Sequence, residues 1–157
     1  MQPNRMISGQ GTLLARTMHD IRYDPIHDEF LVNNPFAYAI LVFRGGTNGE
    51  EPPIRVIQGP KTKIGDSSRL EVDPVNNEIL LPEGRAVLVY NRTDNGDVAP
   101  KRELKDAGSG GGIAVDAEHN LLLLGSGGNN KNPGRIRMFN RTASGSEKPL
   151  REIFGPK

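Results

Sequence analysis

Pro53-Ile54-Arg55-Val56-Ile57 has three counterparts in the chain: Pro3-Asn4-Arg5-Met6-Ile7, Pro100-Lys101-Arg102-Glu103-Leu104 and Pro149-Leu150-Arg151-Glu152-Ile153. All four read Pro-x-Arg-x-Ile/Leu, and their prolines are 50, 47 and 49 residues apart. A fixed period of this length marks a repeat architecture, in which each unit buries its apolar face against its neighbours.

Other landmarks keep the same period. Ala39-Ile40-Leu41-Val42-Phe43, Ala86-Val87-Leu88-Val89-Tyr90 and Arg135-Ile136-Arg137-Met138-Phe139 each close on Phe or Tyr. Six residues later stands Gly49, Gly96 or Gly145, and four beyond that the proline of the next Pro-x-Arg-x-Ile/Leu copy. Upstream lie the apolar runs Glu29-Phe30-Leu31-Val32, Glu78-Ile79-Leu80-Leu81 and Leu121-Leu122-Leu123-Leu124, as expected of strands buried on both faces. Connections of varying length follow them: Asn33 to Tyr38, Pro82 to Arg85, and Gly125 to Gly134. Each unit opens on a short alternating strand, Ile21-Arg22-Tyr23-Asp24, Leu70-Glu71-Val72-Asp73 or Ile113-Ala114-Val115-Asp116. Its first and third residues are expected to face inward.

Four antiparallel strands per unit, repeated, with apolar middle strands, predict an all-β protein. The architecture expected is a β-propeller of four-stranded antiparallel blades, three per chain. A sandwich would space its strands irregularly, and a parallel β-helix would repeat at about half this length or less. The boundaries follow the period: one repeat domain over 1–157, with 1–16 as the outer strand of a preceding or partner blade. Blades follow at 17–62, 63–108 and 109–157.

Composition agrees with a turn-rich β protein. The chain has 157 residues, 19 of them glycine and 12 proline, with 5% aromatics and no tryptophan, so its core is expected to be mostly Ile, Leu and Val. The net charge is +1 with acids and bases interleaved, which argues against nucleic acid as a partner. No cysteine is present, which excludes disulfides and thiolate metal sites. No apolar run has the length of a membrane-spanning helix. Met1-Gln2-Pro3-Asn4-Arg5 lacks the apolar core of a signal peptide, so the compartment stays open, with a lean to the extracytoplasmic side for a piece of a longer protein.

Gly112-Ile113-Ala114-Val115-Asp116, with Leu121-Leu122-Leu123-Leu124 and Gly134-Arg135-Ile136-Arg137-Met138-Phe139, resembles the blade of the NHL-repeat family. Tyr90-Asn91-Arg92-Thr93-Asp94-Asn95-Gly96 and Phe139-Asn140-Arg141-Thr142-Ala143-Ser144-Gly145 look like a bacterial NHL-like subgroup with an Arg-Thr-x-x-Gly turn. The first unit departs from this pattern with Arg44-Gly45-Gly46-Thr47. The segments after the second strand depart too, with Asn33-Asn34, Pro82-Glu83 and Gly125-Ser126 where such blades often place a small residue and Asp. The resemblance implies a propeller, commonly of six blades. It leaves function open, because such propellers include binding scaffolds, enzymes and RNA binders.

Three blades do not close a ring, since propellers generally have about 4 to 8. The chain therefore reads as half of a six-bladed propeller completed by a second copy, or as a fragment of a longer one. Four copies of the outer strand for three blades leave one over, so Asn4 to Ser8 and Arg151 to Phe154 compete for one edge or one crosses to a partner blade.

Candidate site residues divide into constant and variable positions. Asp24, Asp73 and Asp116 recur in every unit. They read as turn caps, with convergence on a calcium or hydrolytic metal as the alternative. His27 and His119 occupy equivalent positions, where the second unit has Asn76, and read as turn residues. Arg22 and Glu71 stand mid-strand where the third unit has Ala114. They break the repeat at a channel-facing position, so they are binding candidates, with a salt-bridged plug between blades as the structural alternative. Asn129, Asn130 and Lys131, in the longest loop, are the other binding candidates. Arg5, Arg55, Arg102 and Arg151 suggest inter-blade salt bridges or packing of their aliphatic stems.

No nucleophile motif of the Gly-x-Ser-x-Gly kind is present. The function expected is a non-catalytic scaffold or binding module for a protein or glycan, with no cofactor. The alternatives are a propeller enzyme with a metal in its axial channel, using carboxylates with Arg22 or His19 nearby, and an RNA-binding propeller.

Overall fold

Each alternating or apolar run becomes a strand, and the segments 25–28, 74–77 and 117–120 between the first two strands of each unit become tight turns. In the computed structural model, which describes residues 3–108, 111–129 and 133–155, these strands form three antiparallel sheets of four. The first holds β1 (Asp20–Asp24), β2 (Glu29–Asn34), β3 (Ala39–Arg44) and β4 (Arg55–Gln58) in that order. The second holds β5 (Glu71–Asp73), β6 (Glu78–Glu83), β7 (Ala86–Asn91) and β8 (Arg102–Leu104). The third holds β9 (Ile113–Asp116), β10 (Leu121–Ser126), β11 (Arg135–Asn140) and β12 (Arg151–Phe154). Short 3-10 turns at Gln10–Thr12, Pro35–Ala37 and Pro60–Thr62 interrupt the connections. The protein is all-β.

The sheets stack face on face, and the core lies between them. Leu31, Ile40, Val42 and Ile57 of the first sheet pack against Leu70, Ile79, Leu81, Leu88 and Tyr90 of the second. The opposite face of the second sheet, through Leu80, Val87, Val89 and Leu104, packs against Leu122, Leu124 and Phe139 of the third. Successive side chains on a strand point to opposite faces, so the middle sheet is apolar on both sides. Burying each such Leu or Ile stabilises the stack by about 1.5–3 kcal/mol before entropy is counted.

A backbone latch joins each unit to the next. Ile57 forms an isolated parallel bridge to Gly96, and Leu104 forms one to Gly145. Gly96 N–H donates to Val56 O at 2.6 Å, and Gln58 N–H donates to Gly96 O at 3.2 Å. Gly145 N–H donates to Glu103 O and Lys105 N–H to Gly145 O. Gly96 and Gly145 have φ of 80° and 58°, a region that a side chain disfavours. The glycine found six residues after each Phe or Tyr is therefore the point where the preceding outer strand is grasped.

Several expectations need correction. The segments Asn33–Asn34, Pro82–Glu83 and Gly125–Ser126, read above as loops, are strand residues paired with Ile40–Ala39, Val87–Ala86 and Ile136–Arg135. Pro82 is tolerated because β5 begins only at Glu71, opposite Leu80, so no ladder bond is asked of its nitrogen from that side. Ile21 and Tyr23, expected to face inward, are 57% and 56% exposed, whereas their counterparts Leu70 and Val72 are 0% and 7%. The first sheet has no neighbour on that face. Leu121 and Leu123 are only half-buried for the same reason at the other end of the stack. The first Pro-x-Arg-x-Ile copy, expected as an outer strand, belongs to no described sheet. Its Ile7 instead bridges Gly49, as Ile57 bridges Gly96.

Candidate functional site

The residues that break the repeat meet where the short first strands adjoin. Arg22 is the middle residue of β1 and Glu71 opens β5, paired across their sheets with Leu31 and Leu80. Arg22 Nε lies 3.3 Å from Glu71 Oε1, and its NH1 lies 2.7 Å from Asp20 Oδ1. Asp20 Oδ2 in turn accepts the Leu70 N–H at 3.0 Å. The two sheets are thus tied at their inner edge by one arginine between two carboxylates. Burial raises the Glu71 carboxyl above its ordinary range, and the Val72 N–H and Arg22 offset part of that rise. Ala114 occupies the equivalent place in β9, so the tie is not repeated between the second and third sheets.

The recurrent aspartates cap their own turns. Asp24 Oδ1 accepts the N–H groups of Ile26 and His27, while His27 Nδ1 lies 2.7 Å from Asp24 Oδ2. Asp73 accepts the Asn76 N–H at 3.0 Å and its side-chain Nδ2 at 2.8 Å. Asp116 accepts the His119 N–H, with His119 Nδ1 2.7 Å from its other oxygen. The His119 N–H and ring hold the Asp116 carboxyl below its usual range. Among the described residues, no three His, Asp or Glu side chains are grouped so as to hold a metal ion. His19 is exposed, with its ring centroid 6.1 Å from that of Phe36.

A second set of acids went unrecognised in the sequence. Glu29 Oε2 receives Arg55 NH2 at 2.5 Å from its own sheet and Arg92 NH1 at 2.8 Å from the next. Glu78 receives Arg102 bidentately at 2.5 and 2.8 Å, Lys101 at 2.9 Å, and Arg141 from the third sheet at 3.0 Å. Both glutamates are buried. Burial alone would raise the Glu78 carboxyl, but the bonds from Arg102 and Lys101 outweigh it and hold the group below its ordinary range. The signal was the Glu that precedes the apolar run in the first two units, together with the repeated Arg-Thr turn. Arg55, Arg92, Arg102 and Arg141 are thus engaged by buried carboxylates.

A polar cleft of about 510 Å³ opens between Arg85, Asp106, Asn129, Arg135 and Arg137. It contains Asn129, while Asn130 and Lys131 lie outside the described residues. Arg137 takes the place held by Leu88 in the second sheet. It donates to Ala107 O at 3.0 Å, and its Nε lies 2.9 Å from Glu152. The structure brings Arg22 and Glu71 together but places Asn129 in this separate cleft.

No family model matches the chain, and no curated protein matches it. It is similar to a solved structure described as the crystal structure of the eukaryotic initiation factor, with a TM-score of 0.60 and 13% identity. The match covers 88% of this chain and 32% of that one, so this chain spans about a third of the length of the protein it matches. At this identity the likeness is one of fold.

Proposed function

We propose that the chain is a set of three NHL-like β-propeller blades acting as a non-catalytic scaffold or binding module for a protein or glycan. Its ring is completed by a second copy or by further blades of a longer chain. The observation that carries this reading is the use made of the recurrent polar residues. Each aspartate caps a turn, and Glu29 and Glu78 hold arginines between sheets. A catalytic centre needs different groups in distinct roles around a shared space, whereas here equivalent residues repeat equivalent structural work. The features that break the repeat are the Arg22–Glu71 tie and the polar cleft at Asn129, and both suit recognition on a rigid frame.

The test is binding without turnover. Purified protein is applied to an immobilised glycan panel and to a displayed peptide library, and in parallel assayed for hydrolysis of ester, lactone and phosphoester substrates. The expected result is saturable binding that Arg22→Ala or Arg135→Ala weakens, with no protein-dependent hydrolysis. Hydrolysis that scales with protein and disappears in Asp73→Asn would overturn the reading.

A further inference from the structure

The glutamate–arginine clamp is built from halves on adjacent sheets, and both halves are missing at the ends of the stack. In the ladder, Glu29 pairs with Asp24 and Leu121 pairs with Asp116, so Leu121 occupies the clamp glutamate's place in the third sheet. The clamp arginines Arg92 and Arg141 donate their N–H to Asn77 O and Asn120 O, and Gly45 makes the corresponding bond to Asp28 O. Gly45 therefore occupies the arginine's place in the first sheet. The sheet without the carboxylate and the sheet without its arginine are the two that expose an apolar face.

Those faces are also the two complementary halves of the internal interfaces. On the third sheet, Ile136 and Ile153 are 43% and 53% exposed, whereas Ile40 and Ile57 at the same positions of the first sheet are fully buried. On the first sheet, a groove of about 300 Å³ lined by Ile7, Leu14, Met18, Ile21, Phe30 and Val32 lies open. Leu14 stands where Ile64 fills the interface between the first two sheets.

Resting on the propeller reading, we infer that a second copy of this chain covers these faces, the third sheet of one copy docking head to tail on the first sheet of the other. Two such contacts, each pairing Leu121 with Gly45, close two chains into one ring. A carboxylate at 121 would be buried there with no arginine to receive it, and an arginine at 45 would lack its acceptor. Their joint absence fits one shared interface. A different rim charge serves the contact. Asp28 Oδ1 overlies Gly45 and accepts the Tyr23 hydroxyl at 2.9 Å, and Arg5 NH1 reaches the neighbouring Gly46.

Only one outer strand can hold at the contact, and it is Met6–Ser8. It is already latched by Ser8 N–H to Gly49 O, Gly49 N–H to Met6 O and Met6 N–H to Asn48 Oδ1. It meets the outer edge of the partner's third sheet, where β12 and its half-exposed Ile153 and Phe154 give way to it on docking, so that Ile136 of β11 is the isoleucine that stays in the contact.

The test is sedimentation velocity with light scattering over a concentration series on the full chain. The wild type is expected at twice 17.1 kDa. Ile21→Glu and Ile136→Glu, on opposite faces, each yield monomer, and an equimolar mixture of the two recovers a one-to-one dimer. Leu121→Glu weakens association about tenfold or more, and adding Asp28→Asn with Gly45→Arg, which rebuilds the arrangement at Asn77 and Arg92, restores it. A wild type that stays monomeric overturns the proposal, as does a dimer that only one of the two isoleucine variants disrupts. Circular dichroism on the same samples separates the two readings. A monomer with a β spectrum and one cooperative melt leaves the scaffold standing, and loss of that melt in the wild type removes both.

Discussion

Arg141 of the third sheet reaches 3.0 Å from Glu78 of the second, beside a largely apolar interface that includes Leu80, Val89, Leu122 and Phe139. The same carboxylate holds Arg102 of its own sheet, so one buried anion sets the spacing of two sheets. Glu29 does the same with Arg55 and Arg92.

Removing the anion leaves two guanidinium groups facing each other at a dry interface. Glu78→Ala is expected to destabilise the chain by about 3–5 kcal/mol, the range for breaking a buried ion pair from one side. Replacing Glu78, Arg102 and Arg141 together by Met or Leu should be milder, because the charges left unpaired are then the half-exposed Lys101 and the turn-capping Asp73 rather than two guanidinium groups. Urea denaturation of the two variants measures the difference.

The pH dependence has two parts of opposite sign. The Glu78 carboxyl is held below its ordinary value of 4.5, so its contribution is present above that pH and is lost as the pH falls through the folded value. Glu71 is raised above 4.5, so its contribution is present below that pH and is lost as the pH rises through the folded value. Glu78→Gln should therefore flatten the acid side of the stability profile. Glu71→Gln should gain on the wild type towards neutral pH, with Asp20 still holding Arg22. Thermal melts across the acid range check both slopes.

Two glycines separate conformational from steric cost. At Gly96, φ is 80° but a Cβ would meet nothing within 4 Å, so Gly96→Ala should cost only about 1–2 kcal/mol for the left-handed backbone. At Gly111 a Cβ would fall 1.9 Å from the Gly125 carbonyl oxygen, and the backbone must move. Gly111→Ala is expected to cost more than Gly96→Ala in the same chemical denaturation series.

The strands and their order within a unit were legible because the period forces equivalent residues into equivalent places. Pro-x-Arg-x-Ile marks β4, β8 and β12, and the aromatic before the glycine closes β3, β7 and β11. Exposure was not legible. Ile21 and Leu70 look alike in sequence, and only the position of their sheets in the stack makes one wet and the other dry. The tie between Arg22 and Glu71 could be suspected from the break in the repeat. The clamp at Glu78 was missed because an acid beginning an apolar run looks like a strand end, and its partner Arg141 is 63 residues away.

The stack also separates apolar strand residues by cost. Leu80→Ala, fully buried between the second and third sheets, should lose about 2–5 kcal/mol. Ile136→Ala, on the open face, should lose well under half of that when assayed as monomer. Equilibrium unfolding of both proteins at low concentration gives the comparison.

Hydrogen exchange at the latch amides tests the stacked repeat most directly. Gly96 and Gly145 donate their N–H groups to Val56 O and Glu103 O across sheet boundaries, so both should exchange as slowly as the strand amides of Leu80 and Val89. Fast exchange at the two glycines beside protected strand amides would mean that the sheets fold without gripping one another, and would contradict the arrangement.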